Sequence, residues 1–123
     1  MRDQIVHYLT EREEAFVSTL TQLGMRPKTA VLLVFLAGRP EATSREIERG
    51  TDLRQPEVSL ALKDLFDRGW VSHCDNLVEH QGRPQKVYAL ALPLPGILEA
   101  FQAEKQAEVR RKLALIAQIH DFL

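Results

Sequence analysis

The chain holds one cysteine, Cys74, in 123 residues. That excludes a framework of intramolecular disulfides. Long apolar runs are also missing: the longest, Ala30–Ala37, is far too short to cross a bilayer. The opening Met1-Arg-Asp-Gln is followed by too little apolar sequence for a secretory signal. A soluble, cytoplasmic protein with no membrane partner is the expectation. Neither sign of charge dominates, and the formal net charge is −1. No strong overall field therefore draws the protein to polyanions or lipid surfaces. No glycine-rich phosphate loop and no nucleophile elbow occurs. The carboxylates are scattered at helix-surface spacing, so neither an enzyme nor a cofactor is expected. Internal repeats and low-complexity segments are lacking too.

What is present is ordinary for a globular protein: 45% hydrophobic and 27% charged residues. The length fits one domain, residues 1–123. Its core must be modest, and a second copy would help to bury more.

Residues 2–23 carry Ile5, Leu9, Phe16, Leu20 and Leu23 at helical spacing. Thr10 and Glu13 form a capping box within this stretch. The pattern fits either one helix or a short lead-in and a helix starting at Thr10. Gly24 ends it. Pro27 suits the first residue of a second helix, through Ala37, apolar on nearly every side. A buried strand is the rival reading there, and the Pro27 start favours helix. Gly38-Arg39-Pro40 breaks the run. Thr43 with Glu46 caps a third, short helix, which Gly50 and Asp52 interrupt. Pro56 opens a fourth, with Val58, Leu62 and Leu65 on one face, Phe66 beside them, and Gly69 as its stop.

Trp70–His73 and Leu77–Glu79 read as strand, and Lys86–Leu90 pairs back. The tip, His80–Gln85, has turn chemistry around Gly82-Arg83-Pro84. Pro93 and Pro95 close the hairpin, and Pro95 can open a last helix running to Phe122. At about 28 residues it would be about 42 Å long. Leu98, Phe101, Val109, Leu113 and Ile116, with Leu123, give it an interrupted apolar stripe. A helix of that length needs a partner surface.

Two helices at turn spacing, backed by a hairpin, form a device that lays one helix in a DNA groove and rests a hairpin beside it. The ordered pieces are Ser44-Arg45-Glu46-Ile47, Thr51-Asp52-Leu53, Gln55-Pro56-Glu57-Val58-Ser59, Leu62-Lys63-Asp64-Leu65, Arg68-Gly69-Trp70-Val71 and Gly82-Arg83-Pro84…Tyr88. Over roughly residues 20–92 they resemble the winged helix-turn-helix regulators of the TrmB-like, ArsR-like and MarR-like groups. The resemblance implies a mostly α fold with a small β-hairpin. Its core would be residues 24–92. The flanking segments 1–23 and 95–122 would form a homodimer interface, the long last helix being the dimerisation helix. It also implies a sequence-specific, DNA-binding transcriptional regulator whose partner is double-stranded DNA. Two residues depart from the pattern. Asp52 stands where such turns usually carry glycine, a position aspartate tolerates. Leu60 stands where these helices often carry a basic or polar residue.

With Val58, Leu62 and Leu65 turned inward, Pro56, Leu60, Lys63 and Asp67 point away, flanked by Glu57 and Ser59. The groove-facing set is then Arg54, Gln55, Glu57, Ser59, Leu60 and Lys63. Arg54 suits a guanine edge, Gln55 an adenine, Glu57 a cytosine amino group and Leu60 a thymine methyl. Arg83 and Lys86 on the wing suit phosphate or the minor groove. Arg26 and Lys28, at a helix start, suit phosphate, as does Arg45. Between Thr43 and Leu90, however, seven basic residues meet eight acidic ones. The phosphate-neutralising part of DNA affinity should therefore be small.

A winged helix used for protein–protein contact, without DNA binding, is the alternative; the near-neutral motif and Leu60 suit it. His73, Cys74, Asp75 and His80 are close in sequence, but adjacent strand residues face opposite ways. His7 and His120 sit on the two terminal helices. No metal site is expected from either group. Cys74 has only His73 beside it to lower its pKa, so a quiet cysteine is expected. Any small-molecule effector is not legible.

Overall fold

The structure is a computed structural model. It describes residues 9–78 and 83–123, with only the backbone described for 76–78, 83 and 84. Ile5, His7, His80 and Gly82 lie outside the described residues. The chain divides into two compact units, 1–92 and 93–123.

The first unit opens with helix α1, Glu11–Gln22. Its start follows from a reciprocal capping box. Thr10 Oγ1 accepts the Glu13 N–H at 3.1 Å, and Glu13 Oε1 accepts the Thr10 N–H at 2.8 Å. Of the two readings of this stretch, the helix starting at Thr10 is the one found. It ends in a Schellman turn, with Gly24 at φ 112° and the Met25 N–H reaching back to the Leu20 carbonyl. Helix α2, Pro27–Ala37, starts at its proline. Ala30 and Leu32 to Leu36 are all buried, and α2 packs against α1, α4, α3 and β3. An all-round apolar segment has become the central helix of the unit, not a strand.

A two-residue strand, β1 (Ala42–Thr43), precedes helix α3 (Ser44–Thr51). Thr43 and Glu46 cap α3 reciprocally at 3.2 and 2.9 Å. Gly50 does not interrupt this helix; it lies within it. A Cβ there would sit 2.1 Å from Phe35 Cε1, so the glycine admits the ring of α2 against the α3 backbone. The turn comes at Asp52, the left-handed residue at φ 60°. Thr51 Oγ1 bridges it, donating to the Ile47 carbonyl at 2.6 Å and accepting the Leu53 N–H at 3.3 Å.

Helix α4 spans Gln55–Asp67. It buries Val58, Ala61, Leu62 and Leu65, and stops in a second Schellman turn at Gly69, φ 78°. Strands β2 (Val71–Val78) and β3 (Arg83–Leu90) follow. β2 is one strand, not two short pieces, because Cys74, Asp75 and Asn76 pair with Val87, Lys86 and Gln85. The hairpin is also not alone. β1 pairs antiparallel with the far edge of β3, Ala42 opposite Tyr88, giving a three-stranded sheet ordered β1-β3-β2.

The second unit is helix α5, Leu94–Ile119, followed by a 3₁₀ turn, His120–Phe122. Pro95 stands in its first turn. Ile97 and Phe101 are buried, while Val109, Leu113, Leu115, Ile116, Ile119 and Phe122 are exposed. No described helix is long and apolar enough to cross a membrane.

Candidate nucleic-acid interface

Helix α4 has two distinct faces. Its inner residues are at most 5% exposed. The outer row of Gln55, Pro56, Ser59, Leu60, Lys63 and Asp67 is exposed, and Arg54 stands exposed at the N-cap. Leu60 is 66% exposed, a large apolar side chain standing among polar ones. Ser59 donates to Gln55 Oε1 at 3.1 Å, one turn earlier. The Gln55 amide oxygen thus already accepts one hydrogen bond. Lys63 pairs with Asp67 at 3.0 Å, an exposed contact of the kind worth little in water.

Glu57 behaves differently from its neighbours. One carboxylate oxygen accepts the Arg54 N–H at 2.8 Å, closing the first turn of α4. The other forms an ion pair with Lys28 Nζ on α2. The Arg54 N–H, then the Lys28 ammonium, hold its carboxyl below the usual glutamate range. The sequence suits Glu57 to a base contact and Lys28 to a phosphate contact. The fold joins them to each other. Arg26, Lys28, Glu57 and Leu60 line one groove of about 340 Å³, together with Pro27, Thr29 and Ala61.

A second tie joins α2 to α4. The buried Thr29 hydroxyl donates to Asp64 Oδ2 at 2.9 Å. Arg68 reaches the other oxygen of Asp64 at 3.5 Å and stacks over the Trp70 ring at 4.8 Å. On the opposite flank, α4 meets the sheet through aromatic rings. Phe66 stands edge-on to His73 at 5.3 Å and tilted to Tyr88 at 6.0 Å. Neither tie is legible in the sequence: Thr29 and Asp64, and Phe66 and Tyr88, lie far apart along the chain, and His73 meets Phe66 only across the turn from α4 to β2. Only the 100° periodicity that put Phe66 beside the core face hinted at the second.

Lys86 is exposed on β3, opposite Asp75 on β2. Arg83 begins β3, and its side chain lies outside the described residues. Arg26 is the exposed N-cap of α2, and Arg45 is exposed in the first turn of α3. On α5, Leu98 is half-buried. Phe101 is only 2% exposed, with Lys105 Nζ 5.2 Å from its ring centre. Val109, Leu113 and Ile116 remain more than half exposed, as do Leu115 and Ile119, which the sequence stripe omitted. Among the described residues, no three His, Cys, Asp or Glu side chains gather as a metal site.

Three helices in the order α2-α3-α4, a left-handed turn before the last of them, and an antiparallel hairpin flanking it decide the architecture. The fold is a winged helix-turn-helix. Comparison with solved structures agrees. TrmBL2, described as an archaeal chromatin protein, aligns over 89% of this chain with a TM-score of 0.65 and 19% identity. The match spans 40% of TrmBL2, so this winged helix covers well under half of that protein. A possible transcriptional regulator from Methanosarcina mazei Go1 aligns over 85% of this chain and 86% of its own, at TM-score 0.65 and 12% identity. The multiple antibiotic resistance repressor MarR aligns over 96% and 84%, at TM-score 0.55 and 13% identity. At these identities the likeness shows a shared winged helix fold, one that transcriptional regulators use. No protein-family model and no curated protein matches the sequence.

Proposed function

We propose that this winged helix is a sequence-specific DNA-binding transcriptional regulator that acts as a homodimer. The observation that carries the reading is the outer face of α4. Arg54, Gln55, Ser59, Leu60 and Lys63 stand exposed along one side of a helix whose other side is fully buried. That is the presentation a major groove requires, with the N-terminal residues reaching base edges. The wing residues Lys86 and Arg83 would serve the backbone, as would Arg26 and Arg45. The exposed row Val109, Leu113 and Ile116 on α5 supports pairing of two copies. Two copies would double the phosphate contacts of a motif with little net charge.

The test separates reading from positioning. Gln55→Ala should cost about 1–3 kcal/mol on the preferred duplex and relax preference there. Lys86→Ala should weaken all duplexes alike and shallow the salt slope by roughly one. Titration of matched and scrambled duplexes at several salt concentrations measures both. One observation favours a second reading, a protein-contact module: Leu60 is exposed where DNA readers often carry a polar side chain. Absence of any salt-dependent binding at low salt would make that reading the better one.

A further inference from the structure

We propose that Glu57 limits DNA affinity by offsetting the charge that Lys28 offers to phosphate, and does not itself read a base. The inference rests on the DNA-binding reading above. Glu57 lies in the first turn of α4, the part of the helix that would enter the groove. Its carboxylate is committed on both oxygens, one to the Arg54 N–H and one to Lys28. A cytosine amino group would have to share an oxygen with one of those partners. The carboxyl is held in its charged form by the same two groups. Lys28, in turn, is a cation that α2 presents beside the start of α4, with Arg26 in the same groove; it is 56% exposed and already paired with Glu57. A phosphate approaching it meets the Glu57 charge in the same groove.

An exposed ion pair of this kind contributes little in water, so it is easily exchanged. The charge, however, cannot leave: any phosphate at Lys28 is bound next to a carboxylate. The effect should fall on all DNA equally, because a phosphate carries no sequence information. Glu57 would thus suppress indiscriminate binding while leaving Gln55 to discriminate.

Glu57→Gln tests this, since glutamine keeps an oxygen for the Arg54 N–H while removing the charge and the oxygen that accepts from Lys28. Duplex titrations from 50 to 200 mM salt, on a preferred and a scrambled sequence, give the readout. Glu57→Gln should bind both duplexes more tightly by the same factor and steepen the salt slope by about one. Its advantage over the native protein should shrink about 3.5-fold across that salt range. Adding Lys28→Ala to Glu57→Gln should erase the gain and the added slope. Loss of affinity on the preferred duplex alone would overturn the proposal, because Glu57 would then be reading a base. Unchanged binding, or a gain that survives Lys28→Ala, would also overturn it while leaving the DNA reading intact. If neither protein binds either duplex at 50 mM salt, the DNA reading falls and takes the proposal with it.

Discussion

Replacing Gly50 with alanine pits two opposite effects against each other. On helix propensity alone, alanine inside α3 should stabilise the protein by about 0.8–1 kcal/mol. The packing says otherwise. The new Cβ would lie 2.1 Å from Phe35 Cε1, 2.6 Å from Cζ and 3.1 Å from Cδ1. Carbon atoms pack comfortably at about 3.5–4.0 Å, so the ring must retreat by about 1.5 Å. It has little room to do so. Phe35 is 4% exposed, and the Arg39 guanidinium covers its ring at 3.9 Å. Forcing a methyl into such a site costs about 1–3 kcal/mol. The clash should win, leaving a net loss of up to about 2 kcal/mol. In a unit of this size that lowers Tm by up to about 15 °C. Thermal and urea unfolding followed by circular dichroism would measure it. Phe35→Leu in the same background should recover part of the alanine penalty by removing the ring atoms in question. A Tm equal to or above that of the native protein for Gly50→Ala would refute the reasoning.

Thr29→Val should destabilise by about 1–3 kcal/mol, because it strands the half-buried Asp64 carboxylate without its hydroxyl donor; urea unfolding measures this. Thr43→Ala should cost about 1 kcal/mol by uncapping α3, read by the same assay. The Glu57 carboxyl titrates lower in the folded protein than in the unfolded chain. Its contribution is therefore present above the usual glutamate range and lost as pH falls through and below it. Glu57→Gln should flatten that part of the acid limb of a stability–pH profile. Sedimentation at micromolar concentration should show a dimer, and Leu113→Glu with Ile116→Glu should convert it to a folded monomer; a native monomer would remove the homodimer.

How much of this could be read in advance follows from distance along the chain. The capping boxes at Thr10 and Thr43, the proline starts at Pro27 and Pro56, and the glycine stops at Gly24 and Gly69 are all local. Their chemistry is complete within about five residues, and they mark helix ends wherever they occur. β1 is two residues long and has no periodicity of its own; only its pairing with Tyr88 and Val87 makes it a strand. Gly50 looks like a breaker because propensity cannot anticipate an aromatic ring arriving from α2. The polar run Cys74-Asp75-Asn76 interrupts the apolar strand signal, yet β3 supplies partners for all three. The outer face of α4 was readable because its periodicity is local. The partnership of Glu57 with Lys28 was not, since it joins residues on different helices.

β1 also bears on how this protein is made. The β2–β3 hairpin can zip from its own turn, a local and fast event. The bond row from Ala42 to Tyr88 cannot, because it closes a loop containing α3, α4 and β2. Such closure must be paid for in chain entropy before the contacts return anything. During synthesis, a nascent chain that has not yet extruded Tyr88 lacks the pairing between β1 and β3. The first unit should therefore lock late and all at once, when β3 leaves the ribosome.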